Sequence, residues 1–128
     1  MLGAATAIAF LPSVDLDRSR RFFAGLLGLA VEDVTPFACV LRAGATMLRV
    51  TRVDTLQPQP FTVFGWRVPD IRATVAGLTA AGIDCLRYDG LGQDAAGVWT
   101  TPGGDLVAWF QDPDGNTLSL TQFAGTGA

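Results

Sequence analysis

Trp109-Phe110-Gln111-Asp112-Pro113-Asp114-Gly115-Asn116-Thr117-Leu118-Ser119-Leu120 is the stretch whose reading decides the fold. Pro113 suits the second position of a type I turn, and Gly115 takes positive φ without steric cost, so the segment between the two apolar arms reads as a hairpin. In the second arm, Leu118 and Leu120 alternate with Thr117, Ser119 and Thr121. One face of that strand is therefore buried, and the other lines something more polar.

Working outward, the 128-residue chain is long enough for one domain or for two small modules. With 49% hydrophobic and 16% charged residues it has the apolar material for a packed interior. A net charge of -3 and a single short basic run, Arg18 to Arg21 interrupted by Ser19, argue against nucleic acid as a partner. The apolar N-terminus, Met1 to Pro12, has no basic residue ahead of it and is too short to span a bilayer. It reads as the first strand of a cytoplasmic protein without a membrane partner. Cys39 and Cys85 are the only cysteines and the chain has no histidine, which excludes Cys/His zinc sites, Cys-His nucleophiles and Ser-His-Asp triads. Two buried reduced thiols follow.

Thr6 to Leu11 reads as a strand, and Asp15 caps a helix whose apolar stripe is Phe22, Phe23, Leu26 and Leu27, ended by Gly28. A polar interruption at Glu32-Asp33 separates a short strand from the run Phe37 to Leu41, and the Gly44 turn leads into Thr46 to Val53. Leu56-Gln57-Pro58-Gln59-Pro60 has linker chemistry. The pattern then begins again: a strand from Phe61 to Val68, a helix capped by Asp70 with Ile71, Val75 and Leu78 on one stripe, a stop at Gly82. Several strands follow, Ile83 to Tyr88 and, after a Gly-rich loop from Gly90 to Gly97, Val98 to Thr101 and Leu106 to Gln111, leading into the hairpin arm. The capping Asp and the closing Gly are 13 residues apart in the first half (28 − 15) and 12 in the second (82 − 70). That agreement points to a duplicated unit.

Asp15-Leu16-Asp17-Arg18-Ser19-Arg20-Arg21-Phe22-Phe23, with Leu27-Gly28-Leu29 after it, and Ala108 to Asn116 together resemble the vicinal oxygen chelate superfamily of glyoxalases, extradiol dioxygenases and bleomycin resistance proteins. Phe23 stands where the family motif usually has Tyr, and Ser119 where Glu is usual. The resemblance implies an α+β fold: one domain over 1–128 built of two βαβββ modules, 5–57 and 61–124, whose curved sheets surround a central cleft. Metal-dependent members take one ligand from the first and one from the last strand of each module. By motif spacing those positions fall at Ile8, Arg49, Val63 and Ser119. Ile and Val carry no donor, Arg is a permanent cation, and a lone Ser hydroxyl is a weak ligand, so no metal or other cofactor is expected.

Alternation along the strands turns Ile8 and Phe10, Met47, Arg49 and Thr51, Val63, Gly65 and Arg67, and Thr117, Ser119 and Thr121 inward. The expected ligand-binding residues are Phe10, Met47, Arg49, Val63, Arg67, Trp99 and Ser119, an apolar lining with a few polar groups suited to a small organic molecule. Arg49 either meets an acidic partner or a bound anion, or reaches solvent at a strand end. Parity sends Trp66 to the helix side. Trp99, between a Gly-rich loop and Pro102-Gly103-Gly104, is the candidate for stacking, and Trp109 is intermediate. The function this implies is metal-independent sequestering or sensing of an organic ligand by a homodimer. The alternative is a lyase- or dioxygenase-like enzyme of the same superfamily, with an atypical metal site at Asp89 and Asp94 or a metal-free mechanism through Arg49 and Tyr88. A third is an accessory domain acting through protein contacts.

Overall fold

The computed structural model describes residues 1–125 and divides the chain into two compact units, Met1–Pro58 and a second beginning at Gln59. In the first unit β1 (Ile8–Ser13), α1 (Leu16–Arg20), β2 (Ala30–Val34), β3 (Ala38–Ala43) and β4 (Thr46–Arg52) build one sheet of order β1-β4-β3-β2. β1 runs parallel to β4 and the other pairs are antiparallel. The second unit repeats this with β5 (Thr62–Arg67), α2 (Ile71–Ala80), β6 (Trp99–Thr100), β7 (Leu106–Gln111) and β8 (Thr117–Gln122), ordered β5-β8-β7-β6. These are two open four-stranded mixed sheets with few helices, the α+β class expected.

The same local chemistry starts each helix. Asp15 and Asp70, both extended, accept a hydrogen bond from the backbone N–H three residues on (Arg18 at 3.0 Å, Ala73 at 3.1 Å), which satisfies a donor that the first helical turn leaves open. Gly28 and Gly82 stop the helices at φ of +81° and +83°. α2 buries Ile71, Val75 and Leu78, as its spacing predicts, against the face of β7 and β8 that carries Ala108, Phe110, Leu118 and Leu120. Burying each large side chain there contributes about 1.5–3 kcal/mol.

Four sequence expectations shift. β1 begins at Ile8 rather than Thr6 and ends at Ser13, whose hydroxyl lies 2.7 Å from that of buried Ser19. After Arg20 the first helix widens to π geometry over Arg21–Leu26, with Leu27 N–H bonded to Phe22 C=O at 3.0 Å. The wider turn rotates the stripe, so Phe22 and Phe23 are buried whereas Leu26 is 52% exposed. Glu32 and Asp33 lie inside β2, not between strands, and the register slips between Val31 and Asp33. Ile83 to Tyr88 forms no strand; Leu86 N–H bonds Trp109 C=O at 2.7 Å.

The hairpin closes as its residues dictate. Gly115 has φ of +88°, Asp112 N–H bonds Asn116 C=O, and the buried Asp112 carboxylate accepts from the N–H groups of Asp114 (3.0 Å) and Asn116 (2.9 Å) and from Asn116 Nδ2 (2.9 Å). Burial pushes the Asp112 carboxyl up from its ordinary value, and the hydrogen bonds from Asn116 oppose that. The clamp fixes where β8 starts, and hence which way Ser119 points.

Candidate functional site

Each sheet has one face packed under its helix and one face turned away from it. In the first unit the cross-strand row Phe10, Arg49, Val40 lies on the outward face, with Ile8 and Met47 forming the next row. Phe10 is 61% exposed and Ile8 48%, whereas Val40 is buried and Met47 and Arg49 are half-buried. Among the described residues the Arg49 side chain has no hydrogen-bond or ion-pair partner, while Arg42, one row away, grips Glu32 at 2.8 and 3.0 Å.

The second unit's outward face holds the rows Gly65, Ser119, Trp109 and Arg67, Thr121, Val107, Trp99. Small residues occupy the middle, since a Cβ added at Gly65 would stand 2.4 Å from Ser119 Oγ and 3.0 Å from Ser119 C=O. One flank is aromatic: Trp99 and Trp109 stack at 6.0 Å with 27° between planes, and Tyr88 meets Trp109 edge-on at 5.3 Å and 88°. On the other flank the Arg67 guanidinium lies 5.1 Å from the centre of the Phe123 ring. Val63 falls where the register of β5 slips against β8 and is 44% exposed. Trp66 points to the helix side, as parity predicts, stacked on Phe110 at 6.0 Å.

The segment that carries Tyr88 is strapped by its own side chains. Gln93 accepts from Tyr88 N–H at 2.7 Å and donates to the carbonyls of Leu86 (2.9 Å) and Gly97 (2.8 Å), and Arg87 donates to the carbonyls of Asp94 and Ala95. Asp94 accepts from Arg72 and from the N–H groups of Ala96 and Val98. The Arg72 guanidinium, aided by the Val98 N–H, holds its carboxyl below the ordinary carboxylate range. With Leu86 tied to Trp109, this strapping holds Tyr88 at the edge of the Trp pair.

The seven expected ligand residues thus divide: Phe10, Met47 and Arg49 lie on the first sheet's outward face, and Arg67, Trp99 and Ser119 on the second's, with Val63 at its irregular edge. Trp109 and Tyr88 join Trp99 without having been among them. The alternation of Trp109 with buried Ala108 and Phe110 carried the signal for the first. The sequence offers Tyr88 only as a polar loop group of the metal-free alternative; its place beside Trp109 depends on the Gln93 strap.

The donor set does not fit a divalent metal. Across the ladder Arg49 faces Phe10 and Ser119 faces Gly65, so the first-strand residues directly beside them add no donor either. Among the described residues no three of His, Cys, Asp or Glu gather into a group able to hold an ion. Asp94 is already engaged by Arg72 and two N–H groups. No described helix is long and apolar enough to cross a membrane.

Comparison with known proteins adds the following. Residues 6–120 match the family model described as Glyoxalase/Bleomycin resistance protein/Dioxygenase superfamily. No curated protein matches the chain in sequence. Among solved structures, the bleomycin resistance determinant encoded on transposon Tn5 superposes with a TM-score of 0.75 at 24% identity, over 94% of this chain and 99% of that one. Lactoylglutathione lyase from Agrobacterium tumefaciens gives 0.73 at 18% identity, over 95% and 96%. A glyoxalase/bleomycin resistance protein/dioxygenase from Alicyclobacillus acidocaldarius gives 0.69 at 17% identity, over 94% and 92%. At these identities the likeness is one of fold, and it includes both a drug-resistance protein and a lyase.

Proposed function

Because this chain belongs to the glyoxalase/bleomycin resistance protein/dioxygenase superfamily, we propose that it is a metal-independent member that binds a small organic molecule, sequestering or sensing it. The observation that supports this best is the outward face of β5 to β8. Stacked Trp99 and Trp109 border a floor of Gly65, Ser119 and Thr121, and the hydroxyl of Ser119 stands where the family motif usually has a carboxylate. A flat π surface beside two hydroxyls gives affinity through apolar contact and orientation through hydrogen bonds, which is how small-molecule sites divide the work. Ligand contacts are assigned to Trp99, Ser119, Arg67 and Val63 on this sheet, with Trp109 and Tyr88 added, and to Phe10, Met47 and Arg49 on the other.

A thermal-shift screen of organic compounds, run with and without EDTA and paired with tryptophan emission, tests the reading. A ligand that binds only the native state raises Tm by mass action. Compounds that raise Tm equally in EDTA, and alter tryptophan emission in wild type but less in Trp99→Ala, support the proposal. Stabilisation by divalent metals, or by organic compounds only when metal is present, refutes it. The same reading carries a homodimer in which each subunit binds ligand; a monomer at micromolar concentration in sedimentation would count against that part.

A further inference from the structure

We infer that Arg49 anchors an anionic oxygen group, so that the ligand is a small organic carboxylate with an apolar body. This rests on the ligand-binding reading above and names its ligand class. Arg49 sits at the middle of β4, three residues from either end. At about 3.3 Å of rise per residue, either end of the strand is some 10 Å away, a long reach for a side chain that stands roughly perpendicular to the sheet. Arg52, at the end of the same strand, needs no such reach and is exposed. Arg49 is instead half-buried between exposed Phe10 on one side and buried Val40 on the other, with Met47 in the neighbouring row.

A guanidinium so placed offers five N–H donors and a positive charge. Nearby acids do not neutralise it. Glu32 is held by Arg42, and Asp33, in the same cross-strand row beyond Val40, lies two strands from Arg49, about 10 Å between backbones, and forms no ion pair with it. Taking a cation partly out of water without a partner costs free energy, and a carboxylate returns it with two parallel, charge-assisted hydrogen bonds. Phe10, Ile8 and Met47 supply the apolar surface on which the rest of such a molecule would lie.

The test uses matched pairs differing only in charge: benzoate and benzamide, 2-naphthoate and 2-naphthamide, indole-3-acetate and indole-3-acetamide, octanoate and octanamide, with inorganic phosphate as an anion lacking an apolar body. Each is titrated into wild type, Arg49→Met and Arg49→Lys, by thermal shift and then calorimetry. At least one acid should bind wild type 10-fold or more tightly than its amide. Arg49→Met should weaken that acid about 10- to 100-fold while leaving the amide unchanged, with Arg49→Lys between. Ligand-free Arg49→Met should melt at or above the wild-type temperature, because no internal partner is lost. The inference is overturned if no acid of the set binds, if acid and amide bind alike, if Arg49→Met binds acids like wild type, or if it melts well below wild type. Amides binding as well as acids would leave the ligand-binding proposal standing; stabilisation by metals and by none of the organic compounds would sink both.

Discussion

Gly65→Ala tests the close approach of β5 to Ser119 that shapes the floor of the second unit's outward face. The added Cβ would stand 2.4 Å from Ser119 Oγ and 3.0 Å from Ser119 C=O. Rotation about χ1 removes the first contact, at about 0.5–1.5 kcal/mol if the new rotamer is strained. The second involves backbone, so the strands must part by a few tenths of an ångström, within the range of about 1–3 kcal/mol for overpacking. Against this, replacing Gly by Ala stiffens the unfolded chain and returns about 0.4–1 kcal/mol. The net expectation is a loss of about 1–2 kcal/mol. In a Ser119→Ala background the Oγ contact is absent, and the loss should fall by about 1 kcal/mol, a coupling that a double-mutant cycle resolves. Urea denaturation of the four proteins, with m values compared, measures it. Additive effects of the two substitutions, or a Gly65→Ala protein as stable as wild type, would refute this account of the floor.

Asp112→Ala should destabilise by about 1–3 kcal/mol, since it takes the acceptor from the N–H groups of Asp114 and buried Asn116 in a part-buried turn; Asp112→Asn, which keeps one acceptor oxygen, should cost less, and urea denaturation ranks the two. The stability difference between wild type and Asp94→Asn should be fully present above the ordinary carboxylate value and shrink as pH falls through the lowered value of the folded state, because Arg72 favours the ionised form; a constant difference from pH 7 to 3 would contradict it. Burial pushes both thiols up, so in the native state Cys39, 1% exposed, should resist a disulfide reagent at neutral pH, half-buried Cys85 should react more slowly than a free thiol, and both should react in urea. Fast native labelling of Cys39 would show that its sheet opens.

What the sequence disclosed was governed by short-range chemistry. The Asp caps, the Gly stops, the hairpin and the alternation of Leu118 and Leu120 with Ser119 all depend on residues within a few positions of one another, and each appears in the structure. The π-helical turn after Arg20 was not legible, because a wider turn is chosen by the packing of Phe22 and Phe23 rather than by the spacing of apolar residues. The same holds for Ile83 to Tyr88: its residues suit a strand, yet Gln93 takes up the Leu86 carbonyl and the Tyr88 N–H that a ladder would need. Cross-strand partners are long-range facts, so motif spacing names Ile8, Arg49, Val63 and Ser119 without saying which residues face one another, and only the ladders put Phe10 beside Arg49 and Gly65 beside Ser119. Neither Phe nor Gly offers a side-chain donor.

The central claim, binding without metal, is tested most directly by loading the purified protein with nickel, zinc, manganese and iron in turn, desalting it, and measuring metal per chain by elemental analysis. The account predicts that none of the four remains in stoichiometric amount and that EDTA leaves Tm unchanged. One tightly held ion per chain, whose removal lowers Tm, would contradict it.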